Sequence, residues 1–161
     1  MAKKILVVVL IVLILIQFIH PARNKAEGAQ PNHISKLYPV PSRVKIILDK
    51  ACVDCHSNNT IYPWYSKIQP VDWWMTHHVN EGKDELNFDE FSTYNLRRQY
   101  HKLEEVSKLV KDEEMPISSY TWIHKDAILS KDEESTIIDW ADSIRSDMKS
   151  KYPMDSLERK K

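Results

Sequence analysis

The chain has 161 residues, 42% of them hydrophobic and 29% charged, and its 23 Lys plus Arg are matched by 23 Asp plus Glu. That length fits one domain with appendages, the zero net charge speaks against nucleic acid as a partner, and five Trp, seven Tyr and three Phe speak against a disordered chain. Only two Gly exclude phosphate-cradling loops and dinucleotide-binding turns, and two Cys are too few for a disulfide scaffold or a four-cysteine metal site.

Lys3 and Lys4 precede an unbroken apolar run, Ile5 to Ile16, which Phe18 and Ile19 extend past Gln17. A basic start before an apolar core is the pattern of an export signal. Fifteen helical residues rise roughly 22 Å, short of a hydrocarbon core of ~30 Å, a gap that Lys3, Lys4 and His20 can narrow by snorkelling. Residues 1–20 are therefore read as a signal anchor, a single pass through the inner membrane. A cleaved signal peptide, with Ala26-Glu-Gly-Ala29 as a weak cleavage site, is the alternative. Both put the remainder on the periplasmic, exported side.

Residues 21–41 read as an extended linker, with Pro21, Pro31, Pro39 and Pro41 among small and polar residues. Ser42 can cap a helix whose apolar positions are Val44, Ile47, Leu48, Ala51 and Cys52. A loop follows over 57–70. Asp72 can then cap a short helix from Trp73 to Glu81, which Gly82 would terminate. A longer helix is expected from about Asp89 to Asp112, ended by Met115-Pro116, because proline disfavours helical geometry in the residue before it. The final helix begins at a capping box, Ser130-Lys-Asp-Glu133, and puts Ile137, Trp140, Ala141, Ile144 and Met148 on one face. The tail, 150–161, is expected to be mobile. No alternating strand pattern interrupts this series. The expected fold is all-α, with one domain over 42–149.

The pentapeptide Cys52-Val-Asp-Cys55-His56 carries the chemistry. C-x-x-C-H is the attachment motif of c-type haem. Two thiols one helical turn apart can reach the two vinyl groups of one porphyrin, and the adjacent His56 then projects toward the iron as proximal ligand. Other uses of such a pair need more than this sequence offers. A thioredoxin-like site needs a βαβ setting, and zinc needs about four ligands. A structural disulfide or inert thiols are the remaining alternatives.

On these residues the chain resembles class I c-type cytochromes. It is more closely similar to small bacterial haem-binding-domain proteins with an N-terminal anchor and a single C-x-x-C-H. The likeness also draws on Met115-Pro116 about sixty residues after the motif, on the helix containing Trp140, and on Trp64-Tyr65, Trp73-Trp74 and His77-His78. It departs from class I in glycine, with only Gly82 between residues 42 and 149. The resemblance implies a small cytochrome c-like helical domain around one covalent haem c, thioether-linked through Cys52 and Cys55, with Met115 as sixth iron ligand. His77 and His78 are the main alternatives for that position, and Met75, His101 and His124 weaker ones. Tyr120 and Trp122 are candidate partners of the haem propionates. The function expected is single-electron transfer with redox partner proteins at the membrane, without enzymatic activity. The alternative is a haem-based sensor or peroxidase-like protein with an open sixth position.

Overall fold

A computed structural model describes residues 1–158. Eight α-helices are present among them: α1 (Ala2–Ile16), α2 (Ser42–Ala51), α3 (Val53–His56), α4 (Val71–Glu85), α5 (Leu96–Lys111), α6 (Ser118–Thr121), α7 (Lys131–Lys151) and α8 (Met154–Leu157). The only β-type pairing among these residues is a single bridge between Lys25 and Asn59. The all-α expectation holds, and its cause is visible in the core.

Helices α5 and α7 form the central pair, burying Tyr100, Leu103 and Val110 of one against Ile137, Ala141, Ile144 and Met148 of the other. Helix α2 adds Val44, Ile47 and Leu48 to the same cluster. Full burial of such a side chain is worth about 1.5–3 kcal/mol, whereas the exposed ion pairs along these helices contribute about 0–1 kcal/mol each. Apolar periodicity therefore sets the arrangement. Trp140 is buried on α7, and its Nε1 donates to the Pro39 carbonyl at 3.0 Å.

Several boundaries differ from those expected. Helix α4 starts at Val71 and runs past Gly82 to Glu85, so Asp72 sits inside its first turn and Gly82 is an interior residue. The long helix begins only at Leu96, capped by the Asn95 side chain accepting from the Arg98 N–H. Before it, Phe88–Thr93 form a 3-10 helix that buries Phe88 and Phe91. At its other end α5 stops at Lys111, four residues ahead of Met115. The Glu113 N–H donates to the Val110 carbonyl and the Glu114 N–H to the Leu109 carbonyl, with Glu113 at φ 58°. That is a Schellman ending with glutamate in the left-handed position, so backbone geometry stops the helix before proline is reached.

Residues 21–41 are not a free tether. Asn24 Nδ2 donates to the Ser57 carbonyl and to Thr60 Oγ1, both at 2.9 Å, and Arg23 Nη2 donates to the Ser66 carbonyl at 2.9 Å. Ile34 is fully buried, and Tyr38 donates to Gln99 Oε1 at 2.8 Å. The segment wraps the loop that follows His56. At the other end, α8 returns to α5 and buries Leu157, so the described part of the expected mobile tail is packed; its last residues, 159–161, lie outside the described residues.

None of the fifteen residues of α1 is buried. Among the described residues no helix is long and apolar enough to cross a membrane. The single-pass anchor expected at 1–20 is therefore not supported, because the helix closes at Ile16 with a rise of roughly 22 Å.

Candidate functional site

Helix α2 ends at Ala51, with Cys52 as its C-cap. The chain bends there, with Cys52 at φ −126°, and resumes as the single turn α3. The Cys55 and His56 N–H groups both donate back to the Cys52 carbonyl, at 3.2 and 3.0 Å. This bend places Cys52, Cys55 and His56 together on the wall of a cavity of about 420 Å³. Most of the remaining wall is apolar, with Leu48 and Ala51 from α2, Leu86 and Phe88 after α4, Val106, Leu109 and Val110 from α5, then Met115, Pro116, Ile117, Leu129 and Ile137, while Asp54, His78, Glu81, Glu85, Lys102, Glu105 and Tyr120 add polar groups. A volume in this range, apolar with a few polar groups, is that of a cofactor pocket.

His56 is held by its ring nitrogen. Nδ1 lies 2.9 Å from both the Gly82 and the Leu86 carbonyl oxygens, and since carbonyls only accept, Nδ1 carries the proton. Nε2 then keeps its lone pair. Burial holds the His56 pKa below its ordinary value, against the opposing effect of the two carbonyls, so the ring stays neutral. A neutral imidazole with Nδ1–H fixed by backbone carbonyls is prepared as an Nε2 metal ligand. Gly82 makes the approach possible: a Cβ there would lie 2.8 Å from the Cys55 carbonyl oxygen.

The two thiols are free. Burial, with Cys55 nearby, pushes Cys52 up to about 12, and burial with Asp54 nearby pushes Cys55 to about 11. Among the described residues no group of three or more His, Cys, Asp or Glu side chains is gathered to hold a metal ion.

Met115 borders the cavity from the segment between α5 and α6, with its N–H donating to the Leu109 carbonyl at 3.1 Å. The tight turn at Glu113 directs it there. Of the competing histidines, His78 reaches the cavity wall and His77 does not; the His77 side chain is 66% exposed beside Glu81. His78 lies one helical turn from Gly82, on the same helix that holds His56 in place. His101 is likewise exposed, beside Glu105, and His124 bonds Tyr65. Met75 lines only a smaller neighbouring cavity.

Trp122 is 78% exposed and does not border the cavity, so the role expected for it is not supported. Tyr120 does border it, yet its hydroxyl donates to Asp54 Oδ2 at 2.8 Å. Burial and that bond raise the Tyr120 pKa strongly, so the phenol keeps its proton. Asp54, between the two cysteines, thus ties the motif to α6, and its Oδ1 accepts the Ile61 N–H at 2.9 Å.

Sequence reasoning missed a cation at the rim. Lys102 is largely buried and borders the cavity, donating to Glu85 at 2.8 Å and to Glu105 at 2.6 Å. Burial works against its charge, but the two carboxylates outweigh burial and raise its pKa. Its place midway along an amphipathic helix resembled any solvated lysine. The carbonyls that orient His56 were equally invisible, because backbone acceptors leave no mark in a sequence.

Fold and site together define a small helical cofactor-binding domain, with one oriented histidine and two thiols facing an apolar cavity. A family model described as a haem-binding domain matches residues 11–143, and the chain belongs to that family. It is a haem-binding protein. No curated protein and no solved structure matches the chain.

Proposed function

We propose that this protein is a single-electron carrier of the exported side of a membrane, with one haem c attached at Cys52 and Cys55 and ligated by His56 and Met115. The observation that carries the reading is the His56 ring: its Nδ1 donates to two backbone carbonyls while the ring borders the cavity shared with both cysteines and Met115. These residues fit the group. Haem bound there supplies reversible one-electron iron chemistry.

The chain's own residues have separable parts in this. Cys52 and Cys55 fix the orientation of the cofactor by thioether bonds. The Gly82 and Leu86 carbonyls keep the His56 tautomer and ring plane constant, which limits rearrangement between oxidation states. The apolar walls exclude water, and a methionine ligand in such a wall favours the reduced form. With His56 and Met115 both engaged in holding the haem iron, the protein would act as a carrier and not as an enzyme. Its partners are redox proteins at the membrane, where α1, too short to span but apolar from Ile5 to Ile16 with no residue buried, inserts from one side.

His78 as the sixth ligand is the second reading, favoured by its place on the cavity wall. The full chain, produced with c-type maturation machinery, distinguishes the two. The expected result is haem that survives denaturation, together with the weak ferric near-red band of iron–thioether ligation. Met115→Ala abolishes that band and His78→Ala leaves it. Haem lost on denaturation overturns covalent attachment. A wild-type band that is absent, with carbon monoxide binding readily to the reduced form, favours an open sixth position and the sensor or peroxidase-like reading.

A further inference from the structure

The contacts at the C-terminal end of α1 point to more than a tethered domain. Gln17 and Gln69 bond reciprocally, the Gln69 N–H donating to Gln17 Oε1 at 2.9 Å and Gln17 Nε2 to the Gln69 carbonyl at 3.2 Å. The Ile19 carbonyl accepts from Gln69 Nε2 at 2.6 Å and from Trp73 Nε1 at 3.0 Å. Asp72, fully buried, takes two side-chain partners from the segment just beyond, His20 at 2.7 Å and the Arg23 guanidinium at 3.2 Å. Lifting that segment away would strand a buried carboxylate.

We propose that this clamp seats the haem domain rigidly on a bilayer, with Trp64, Ile68 and Trp73 in the headgroup layer beside Phe18 and Ile19. All five side chains are exposed, Trp64 at 76% and Phe18 at 80%. They surround the point where α1 joins the domain: Trp73 bonds Ile19, Ile68 precedes Gln69, and Trp64 opens the turn whose Ser66 binds Arg23. Exposed apolar side chains thus stand on both sides of the junction between α1 and the domain. Tryptophan favours the membrane–water interface, where its apolar ring and N–H are both accommodated. Helix length argues the same way. A rise of roughly 22 Å falls short of the ~30 Å hydrocarbon core, and an apolar collar on the domain lets the helix sink to its full depth. The cavity mouth is then held at a constant height and tilt above the lipid.

This inference rests on α1 entering a bilayer, and the experiment separates the two claims. The full-length holoprotein is reconstituted in phosphatidylethanolamine–phosphatidylglycerol vesicles. Haem linear dichroism is measured in oriented layers, and side-chain oxidation is mapped by hydroxyl-radical footprinting. A rigid seat gives a dichroic haem and several-fold slower oxidation of Trp64 than of Met154, which is exposed on α8. The double variant Gln17→Ala, Trp73→Phe keeps vesicle binding but loses dichroism. Protein that floats with vesicles yet shows an isotropic haem and freely oxidised Trp64 overturns the seat and leaves the membrane reading standing. Failure to float overturns both. Protection of Trp64 that follows protein concentration and not lipid overturns the seat in favour of a second copy of the chain.

Discussion

A methyl group at position 82 would sit 2.8 Å from the carbonyl oxygen of Cys55 and 3.0 Å from its Cβ. On an open helix face, replacing glycine by alanine stabilises by about 1 kcal/mol. Here overpacking against α3 costs about 1–3 kcal/mol and disturbs the carbonyl that orients His56. Gly82→Ala is expected to lower the denaturant midpoint, and to change the haem spectrum more than an alanine elsewhere on α4 does. The same residue shows where sequence reasoning stopped. Glycine past an apolar run signals either a helix end or a close approach, and only the position of Cys55, 27 residues away in sequence, decides between them. That Cys52, Cys55 and His56 belong to one site was legible because the motif joining them is local, and all three line one cavity. Trp122 and Tyr120 lie two residues apart, yet the end of a short helix turns one outward and the other toward the cavity, which proximity in sequence does not reveal.

At the scale of elements, one cap read from contiguous residues forms and two do not: Ser42 and Asp72 lie inside α2 and α4, whose N-caps are Pro41 and Pro70. The capping box of α7 forms as expected, with Ser130 and Glu133 bonded in both directions. The Schellman ending of α5 has a glutamate at its left-handed position, so no glycine announced it. Glu133 has a second partner that no local pattern revealed: Lys50 of α2, at 2.7 Å. The Lys50 bond, followed by the Ser130 backbone N–H, lowers the Glu133 pKa to about 2. A carboxylate lowered on folding contributes stability above its unfolded pKa, and that contribution disappears as pH falls through the folded value. Glu133→Gln should therefore destabilise the protein at neutral pH. The gap between variant and wild type should narrow from about pH 4.5 and vanish near pH 2. Denaturant midpoints measured across that range check it; a gap independent of pH would assign the effect to the cap alone.

For the whole molecule, the ordering of helices and the shared face of α5 and α7 were legible from periodicity, while the limits of the domain were not. Pro-rich and charged composition marks segments without regular structure, which is different from segments without contacts. Residues 21–41 bind through side-chain amides and a guanidinium, and α8 binds through buried Leu157 and through the Asp155 carbonyl, which accepts from Arg97 Nη2 at 2.9 Å. Leu157→Ala is expected to cost about 2 kcal/mol, the low end for a buried leucine because a chain terminus can close around the gap. Equilibrium unfolding of the full chain measures it, and an unchanged midpoint would mean that α8 is an independent appendage.

The raised pKa values of Cys52 and Cys55 bear on the order of events in assembly. A thiol adds to a vinyl group as the thiolate, and in the folded chain almost none is available at neutral pH. In an extended chain both cysteines regain ordinary acidity, and the bend at Cys52 that later buries them has not formed. The proposed attachment chemistry thus belongs to the nascent polypeptide, before its core closes. A chain that folded without haem would instead hold both cysteines as buried, protonated thiols, slow to react with late-arriving haem, oxidants or stray metal ions.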